Sequence, residues 1–246
     1  MFKFFVEPHQ IEKEHIVITG SDVNHISNVL RMKQGERVLV STGNDREYLC
    51  ELAELSQDAV TLTILDVYGS NRELSVKVTL YQALPKGDKM ETIIQKMVEL
   101  GVHRIVPIET SRCVVKLDEK KAAKKTARWN TIAETAAKQS KRNEIPQVCM
   151  PVSFSEAIKH AREYEYAVIP YENAEGMEQA RQLVMELAGA ASVAVFIGPE
   201  GGFSEEEIAL ATEDSVVPIT LGHRILRTET AGMMLMSVIM FMNDKD

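Results

Sequence analysis

Cysteine is scarce in this chain of 246 residues: Cys50, Cys113 and Cys149 lie far apart and form no C-x-x-C pair. Such spacing fits neither a disulfide framework nor a zinc site, and it suits a reducing, cytoplasmic setting. The six histidines are equally scattered, so no metal is expected. Long apolar runs are missing too. The most apolar stretch, Ala231 to Met242, has about 12 residues where a bilayer span needs about 20, so no membrane partner is expected. That stretch reads as a helix buried in a core or a subunit interface. Met1 to Gln10 has no basic region followed by an apolar core, so no signal peptide is expected. Internal repeats and low-complexity tracts are absent. What is present, 45% hydrophobic and 26% charged residues, is the composition of one large or two ordinary globular domains.

Basic residues are outnumbered overall, 28 Lys and Arg against 36 Asp and Glu, for a net charge of -8. Their distribution is uneven. From Lys116 to Arg142 there are nine (116, 120, 121, 124, 125, 128, 138, 141, 142) against three acids (118, 119, 134), a local excess of +6. Such a block can steer a polyanion. It is equally open to reading as a solvated helix face held by pairs such as Glu134 and Lys138 at i,i+4.

Up to Tyr68 the pattern predicts a small β-barrel, with strands at Val38 to Ser41, Tyr48 to Leu52 and Val60 to Val67. A helix capped by Ser21 interrupts them, turn signals stand at Gly35-Glu36 and Thr42-Gly43-Asn44-Asp45, and Gly69 to Glu73 reads as a linker. The expected domains are therefore 1–70 and 74–246. In the second, strands (Ser75 to Ala83, Arg104 to Ile108, Tyr166 to Ile169, Ser192 to Ile197, Val216 to Leu221) alternate with helices (Asp88 to Leu100, Lys120 to Ser140, Ser155 to Glu163, Glu175 to Ala188, Ser204 to Thr212, Thr228 to Met242). Alternation of this kind predicts an α/β fold with a parallel sheet and helices on both faces.

Two glycine-bearing loops follow late strands: Gly198-Pro199-Glu200-Gly201-Gly202-Phe203 and Leu221-Gly222-His223-Arg224-Ile225-Leu226-Arg227. Ligands of open α/β sheets bind at such turns. Neither loop fits a phosphate cradle. No Lys-Ser or Lys-Thr follows the glycines, G-x-G-x-x-G is absent, and Glu205, Glu206 and Glu207 crowd the next helix start, where Ser204 and Glu207 are spaced as a capping box. A ligand with an adenine edge, a positive centre and no phosphate would suit, and S-adenosylmethionine is one. The plainer reading is that the glycines only make tight turns.

Gly-Pro-Glu-Gly-Gly-Phe-Ser (198 to 204) together with Leu-Gly-x-Arg-Ile-Leu-Arg-x-Glu-Thr-Ala (221 to 231) resembles the signature of the RsmE ribosomal RNA methyltransferases, a family of the SPOUT class. Gln95-Lys96-x-x-Glu99-Leu100-Gly101-Val102 and the segment from Arg128-Trp129 to Pro146 match as well. The resemblance implies a trefoil-knotted, parallel-sheet domain preceded by a PUA-like β-barrel. It implies a homodimer that transfers methyl from S-adenosylmethionine to N3 of one uridine of small-subunit ribosomal RNA, free or in a 30S-type particle. Lys138 departs from the family pattern, where an acid is expected.

By the same resemblance, cofactor contacts are expected at Ile169, Pro170 and Tyr171, at Ile197, Gly198, Pro199 and Gly201, and at Leu221, Gly222, Ile225 and Leu226, with Thr230 and Ala231 closing the floor. RNA contacts are expected at Arg31, Lys86, Lys89, Lys96, Gln139 and Arg142, although Lys96 also fits a solvent-facing helix position. Trp129 stacks a base or is buried in packing. N3 must lose a proton held well above neutral pH before it attacks, and a fixed arginine favours the anion because it cannot become neutral. Arg227 is the expected group, with Arg224 in reserve unless it pairs with a carboxylate such as Glu229. Glu200 orients a ligand amine, faces the sulfonium charge, or caps its own loop. Two other functions remain open: a non-catalytic ribosome-associated RNA-binding protein, and a knotted methyltransferase acting on another base or on transfer RNA.

Overall fold

The chain divides into two compact units in the computed structural model, which describes residues 1–44, 46–69 and 72–244: Met1–Glu73 with Ala137–Ile145, and Leu74–Ala136 with Pro146–Asp246. Of the expected turn at 42–45 and linker at 69–73, Asp45, Ser70 and Asn71 lie outside the described residues.

In the first unit, β1 (Phe2–Phe5), β2 (His15–Thr19), β3 (Arg37–Ser41), β4 (Arg46–Leu55) and β5 (Ala59–Gly69) form one sheet in the order β1-β3-β4-β5-β2. β1 runs parallel to β3, and the other pairs are antiparallel. The β4–β5 register slips between Leu49 and Cys50 and again between Leu52 and Glu54. Slips of this kind bend a strand and raise its twist, and the sheet curls into a half-barrel. Phe4, Ile16, Ile18, Val38, Val40, Leu52, Val60 and Leu62 fill its concave side, with Val23 and Ile26 from the short helix α1 (Ser21–Asn24) and the π turn His25–Val29. Ser21 is the first residue of α1 and not its cap; Gly20, with φ of 77°, takes the cap position without a side-chain bond.

Segment 137–145, which the sequence places in the 74–246 domain, joins the first unit through polar ties. The buried Lys3 ammonium donates to Glu47 Oε1 at 2.7 Å, to the Lys141 carbonyl at 3.1 Å and to Asn143 Oδ1. Glu73 accepts from the Arg142 guanidinium and, at 2.8 Å, from the Asn143 amide. Burial lowers the Lys3 pKa although Glu47 opposes it. At Glu73 burial alone would raise the carboxyl, but the Arg142 guanidinium and the amides of Glu144 and Asn143 outweigh it and hold the group below the ordinary carboxylate range.

The second unit continues with β6 (Lys77–Ala83), α2 (Lys89–Glu99), β7 (Arg104–Glu109), α3 (Glu119–Ser140), β8 (Gln147–Val148), β9 (Val152–Ser153), α4 (Phe154–Ala161), β10 (Tyr166–Pro170), α5 (Met177–Gly189), β11 (Ser192–Ile197), α6 (Glu205–Glu213), β12 (Val217–Ile219) and α7 (Thr228–Asn243). Its strands are all parallel, in the order β12-β10-β11-β6-β7-β8, with β9 also on β7. Neighbouring residues of one strand point to opposite faces. Tyr81 stacks on Phe196 at 4.5 Å, and Phe154 of α4 meets that ring edge-on. On the other face, a Cβ at Gly232 of α7 would lie 3.2 Å from Met97, 3.6 Å from Ile197 and 4.0 Å from Leu80. Helices therefore cover both faces, and the missing side chain at 232 lets α7 come close to β6, β11 and α2.

Removing one partner of a buried ion pair costs about 3 kcal/mol, so Glu73→Gln should lower stability by about that amount at pH 7. Because the folded carboxyl is depressed, this contribution is complete above its unfolded pKa and is lost as pH falls through the lower, folded value. Urea unfolding of wild type and variant across pH 7 to about 3 should therefore show the gap closing in acid; a gap that widens would contradict the assignment.

Candidate active site

The carboxyl ends of β10, β11 and β12 open into a cavity of about 780 Å³, a size within the range of small-molecule sites. Its first wall is the loop after β11. The Gly202 amide donates to the Pro199 carbonyl at 2.9 Å, which closes the turn, and Gly202 takes a φ of 67°. A Cβ at Gly198 would come 3.2 Å from the Phe203 ring and 3.3 Å from the Gly202 carbonyl carbon, so the loop folds this tightly only around glycine. Beyond it Ser204 caps α6, accepting from the Glu207 amide while the Glu207 side chain accepts from the Ser204 amide, the reciprocal box expected from the sequence. Glu207 Oε1 also takes the Ser111 amide at 2.7 Å, and Arg112 Nη1 donates to the Gly201 carbonyl at 2.8 Å. The loop after β7 thus braces the glycine loop.

The second wall is 221–227, leading into α7. Only Val217–Ile219 of the expected strand Val216 to Leu221 pairs, because Thr220 turns away to accept the Gly222 amide at 3.2 Å. Thr228 joins the two walls. Its hydroxyl donates to the Gly198 carbonyl at 2.6 Å and accepts from the buried Gln82 amide at 2.9 Å. A third wall, Pro170 to Ala174, is anchored by the Tyr171 amide on the Ile219 carbonyl at 2.9 Å.

Of the expected cofactor positions, Pro170, Tyr171, Ile197, Gly198, Pro199, Gly201, Leu221, Gly222, Ile225, Leu226 and Ala231 line the cavity. Ile169 is buried behind it and Thr230 faces solvent, so neither reaches it. Arg224 and Arg227 stand exposed in the wall, and among the described residues neither pairs with a carboxylate. Glu229, weighed as a partner for Arg224, instead has Oε2 buried 4.0 Å from Lys89 Nζ. Glu200 Oε1 accepts from Lys89 Nζ at 2.7 Å and from the Lys86 amide at 3.1 Å. Burial alone would raise the Glu200 carboxyl; Lys89 and backbone amides more than offset it, and the group stays ionised below its ordinary range.

The expected RNA contacts divide. Within the second unit Lys86 is exposed, Lys89 is tied to Glu200, and Lys96 forms an i,i+3 pair with Glu99 at 2.8 Å. Within the first, Arg31 and Gln139 are exposed. Arg142 is only 4% exposed and bonded to Glu73, so the fold gives it a structural position where the sequence suggested an RNA contact. Lys138 lies 3.0 Å from Asp22, and Trp129 is buried, which favours packing over base stacking. Gln82, Thr228 and Arg112 went unread as site residues. A lone Gln within an apolar strand was the available signal for the first.

Residues 72–240 match the RNA methyltransferase domain family, and residues 18–65 the RNA methyltransferase PUA domain family. The chain belongs to the ribosomal RNA small subunit methyltransferase E family. It is 40% identical to the Bacillus subtilis protein of that name, over 99% of this chain and 98% of the relative. Among solved structures, the Neisseria gonorrhoeae ribosomal RNA small subunit methyltransferase E bound to S-adenosylmethionine is 30% identical with a TM-score of 0.87, covering 98% of this chain and 97% of that one. A Legionella pneumophila protein solved with bound S-adenosylmethionine is 34% identical, with a TM-score of 0.85 over 97% and 96% of the two chains.

In this family member the Gln82–Thr228–Gly198 chain holds two cavity walls together. Thr228→Val takes one of two partners from the buried Gln82 amide, which keeps the Ala83 carbonyl at 3.1 Å, and removes the hydroxyl from the Gly198 carbonyl; it should cost about 1–3 kcal/mol. Thr228→Ser should restore most of that. Thermal unfolding compares the three proteins; equal midpoints would show that the tie carries no load.

Proposed function

We propose that this ribosomal RNA methyltransferase moves the methyl of S-adenosylmethionine to N3 of one uridine of small-subunit ribosomal RNA, and that the cavity of the second unit is where it does so. The observation that carries this reading is a pair of arginines, Arg224 and Arg227, which among the described residues have no carboxylate partner and stand on the second of the two glycine-loop walls. The donor set fits the cofactor. Backbone groups around Gly198 and Gly222 suit an adenine edge, and Pro199, Leu221, Ile225 and Leu226 supply apolar area. A side chain at Gly222 would enter open space, so glycine keeps that room. The bound cofactor supplies an electrophilic methyl on a sulfonium.

This chain's part is to favour the uridine anion. Arg227 precedes α7, its carbonyl fixed by the amides of Thr230 and Ala231 at 2.9 Å, so its guanidinium stands at a rigid helix start. A permanent cation there stabilises the N3 anion, and the proton leaves to solvent. Arg224 is the second cation of the same wall. Glu200, ionised and braced by Lys89, orients the ligand without taking a proton. Arg31, Lys86, Lys96 and Gln139 contact the RNA backbone in this reading, which positions the substrate without reading its sequence.

A homodimer agrees with α7, where Met234, Val238 and Phe241 fall at i, i+4 and i+7 and Phe241 is 80% exposed. Three unbonded cysteines fit a cytoplasmic protein, and the substrate is small-subunit ribosomal RNA, free or in a 30S-type particle. Incubating small-subunit particles from a strain lacking the enzyme with protein and labelled cofactor, then locating the label, tests the reading directly. Label on another base or none at all would refute it. Arg227→Ala should lower turnover at least about 100-fold while calorimetric affinity for S-adenosylmethionine changes less than about twofold. Phe241→Glu should shift sedimentation toward the monomer.

A further inference from the structure

The cations of α3 are the largest charge feature outside the cavity. From Lys120 to Arg128 the helix carries Lys120, Lys121, Lys124, Lys125 and Arg128 and no acid. All five are exposed, while Ala122 and Trp129 turn inward. Lys121 lies 2.9 Å from Asp118, Arg128 lies 2.7 Å from Glu91, and Lys125 sits 5.8 Å over the Trp129 ring. Lys120 and Lys124, one turn apart, and Lys116 ahead of the helix pair with no acid among the described residues. An acidic protein that keeps three neighbouring lysines unpaired sustains a local positive field.

Chain connectivity limits how far this face can lie from the cavity. Arg112, on the Gly201 carbonyl, precedes Lys120 by eight residues, a reach of at most about 29 Å. An RNA strand whose uridine enters the cavity can span that distance with a few flanking nucleotides. We propose that Lys116, Lys120 and Lys124 bind phosphates of the substrate RNA beside the methylated uridine, an inference that rests on RNA being the substrate. Lysines are compact, rotatable point charges suited to phosphate oxygens. The exposed part of α3 from Lys120 to Arg128 has no large apolar side chain of the kind that anchors a protein partner.

The test compares wild type with Lys120→Ala/Lys124→Ala in binding an unmethylated small-subunit ribosomal RNA transcript from 50 to 200 mM salt. Losing two phosphate contacts flattens the slope of log K against log salt by about 1.4–1.8. The KM for RNA should rise roughly tenfold with S-adenosylmethionine affinity unchanged. Alanine is the better helix former at exposed positions, so the fold is retained, which circular dichroism checks. Lys77→Ala, at the amino end of β6 and so at the other end of the sheet from the cavity, should leave the slope alone. An unchanged slope in the double variant, or an equal drop with Lys77→Ala, overturns the proposal. An unchanged slope with lost binding to intact particles assigns the face to a protein and overturns it too. RNA binding with the expected slopes but no methyl transfer by wild type would refute the cavity reading and leave the phosphate face standing.

Discussion

The hydrogen bond from the Thr228 hydroxyl to the Gly198 carbonyl is the constraint on which the cavity depends. Without it the loop after β11 and the start of α7 are separate pieces of chain, each free to choose its own distance. Two further features make it possible. Gly232, one turn into α7, removes the side chain that would hold the helix off Leu80, Ile197 and Met97. Gln82, fully buried on β6 beside Ile197, fills the acceptor side of the hydroxyl, so the Thr228 proton has one direction left, toward Gly198. A site that must hold a small ligand in one pose needs walls locked by their own hydrogen bonds and packing.

Charge is sorted around those walls. The carboxylates near the first loop are engaged: Glu207 caps α6 and holds Ser111, Glu200 holds Lys86 and Lys89, and Glu229 lies by Lys89. Among the described residues, the arginines of the second loop are not. One wall is therefore held by bonded carboxylates, and the other presents fixed positive charge to whatever enters. That polarity suits a reaction whose difficult state is an anion, and it makes little sense for a phosphate cradle. Such a cradle would need its amides and cations on the loop that here carries Glu205, Glu206 and Glu207 at the next helix start.

Much of this was legible in the residues. Alternating apolar runs and helical stripes marked the parallel sheet, and Ser204 with Glu207 marked the start of α6 to the residue. The limits came where tertiary contact overrides local pattern. β1 carries no alternation and forms only against β3, and β12 shortens because Thr220 bonds Gly222. Arg142 read as a surface cation because nothing local shows that Glu73, distant in sequence, would bury it. Gln82 and Arg112 were invisible as site residues for the same reason: their partners lie 146 and 89 residues away in sequence. A path threaded through a loop leaves no periodicity at all, so the knot could be expected only from the resemblance.

An acidic protein with an RNA substrate must place its positive charge where the polyanion arrives and neutralise it elsewhere. Several cations are committed to structure. Lys3, Arg142, Lys138 and Lys89 are engaged by carboxylates within their own units, where they fix loops and strand ends. Lys116, Lys120, Lys124, Arg224 and Arg227 have no such partners among the described residues. Unpaired cations raise the energy of the folded protein by mutual repulsion, and surface pairing would relieve it at little cost. Steering from such a surface weakens with salt, whereas the fixed guanidiniums at a partly enclosed cavity are screened less. Capture and chemistry should consequently respond to ionic strength through different residues.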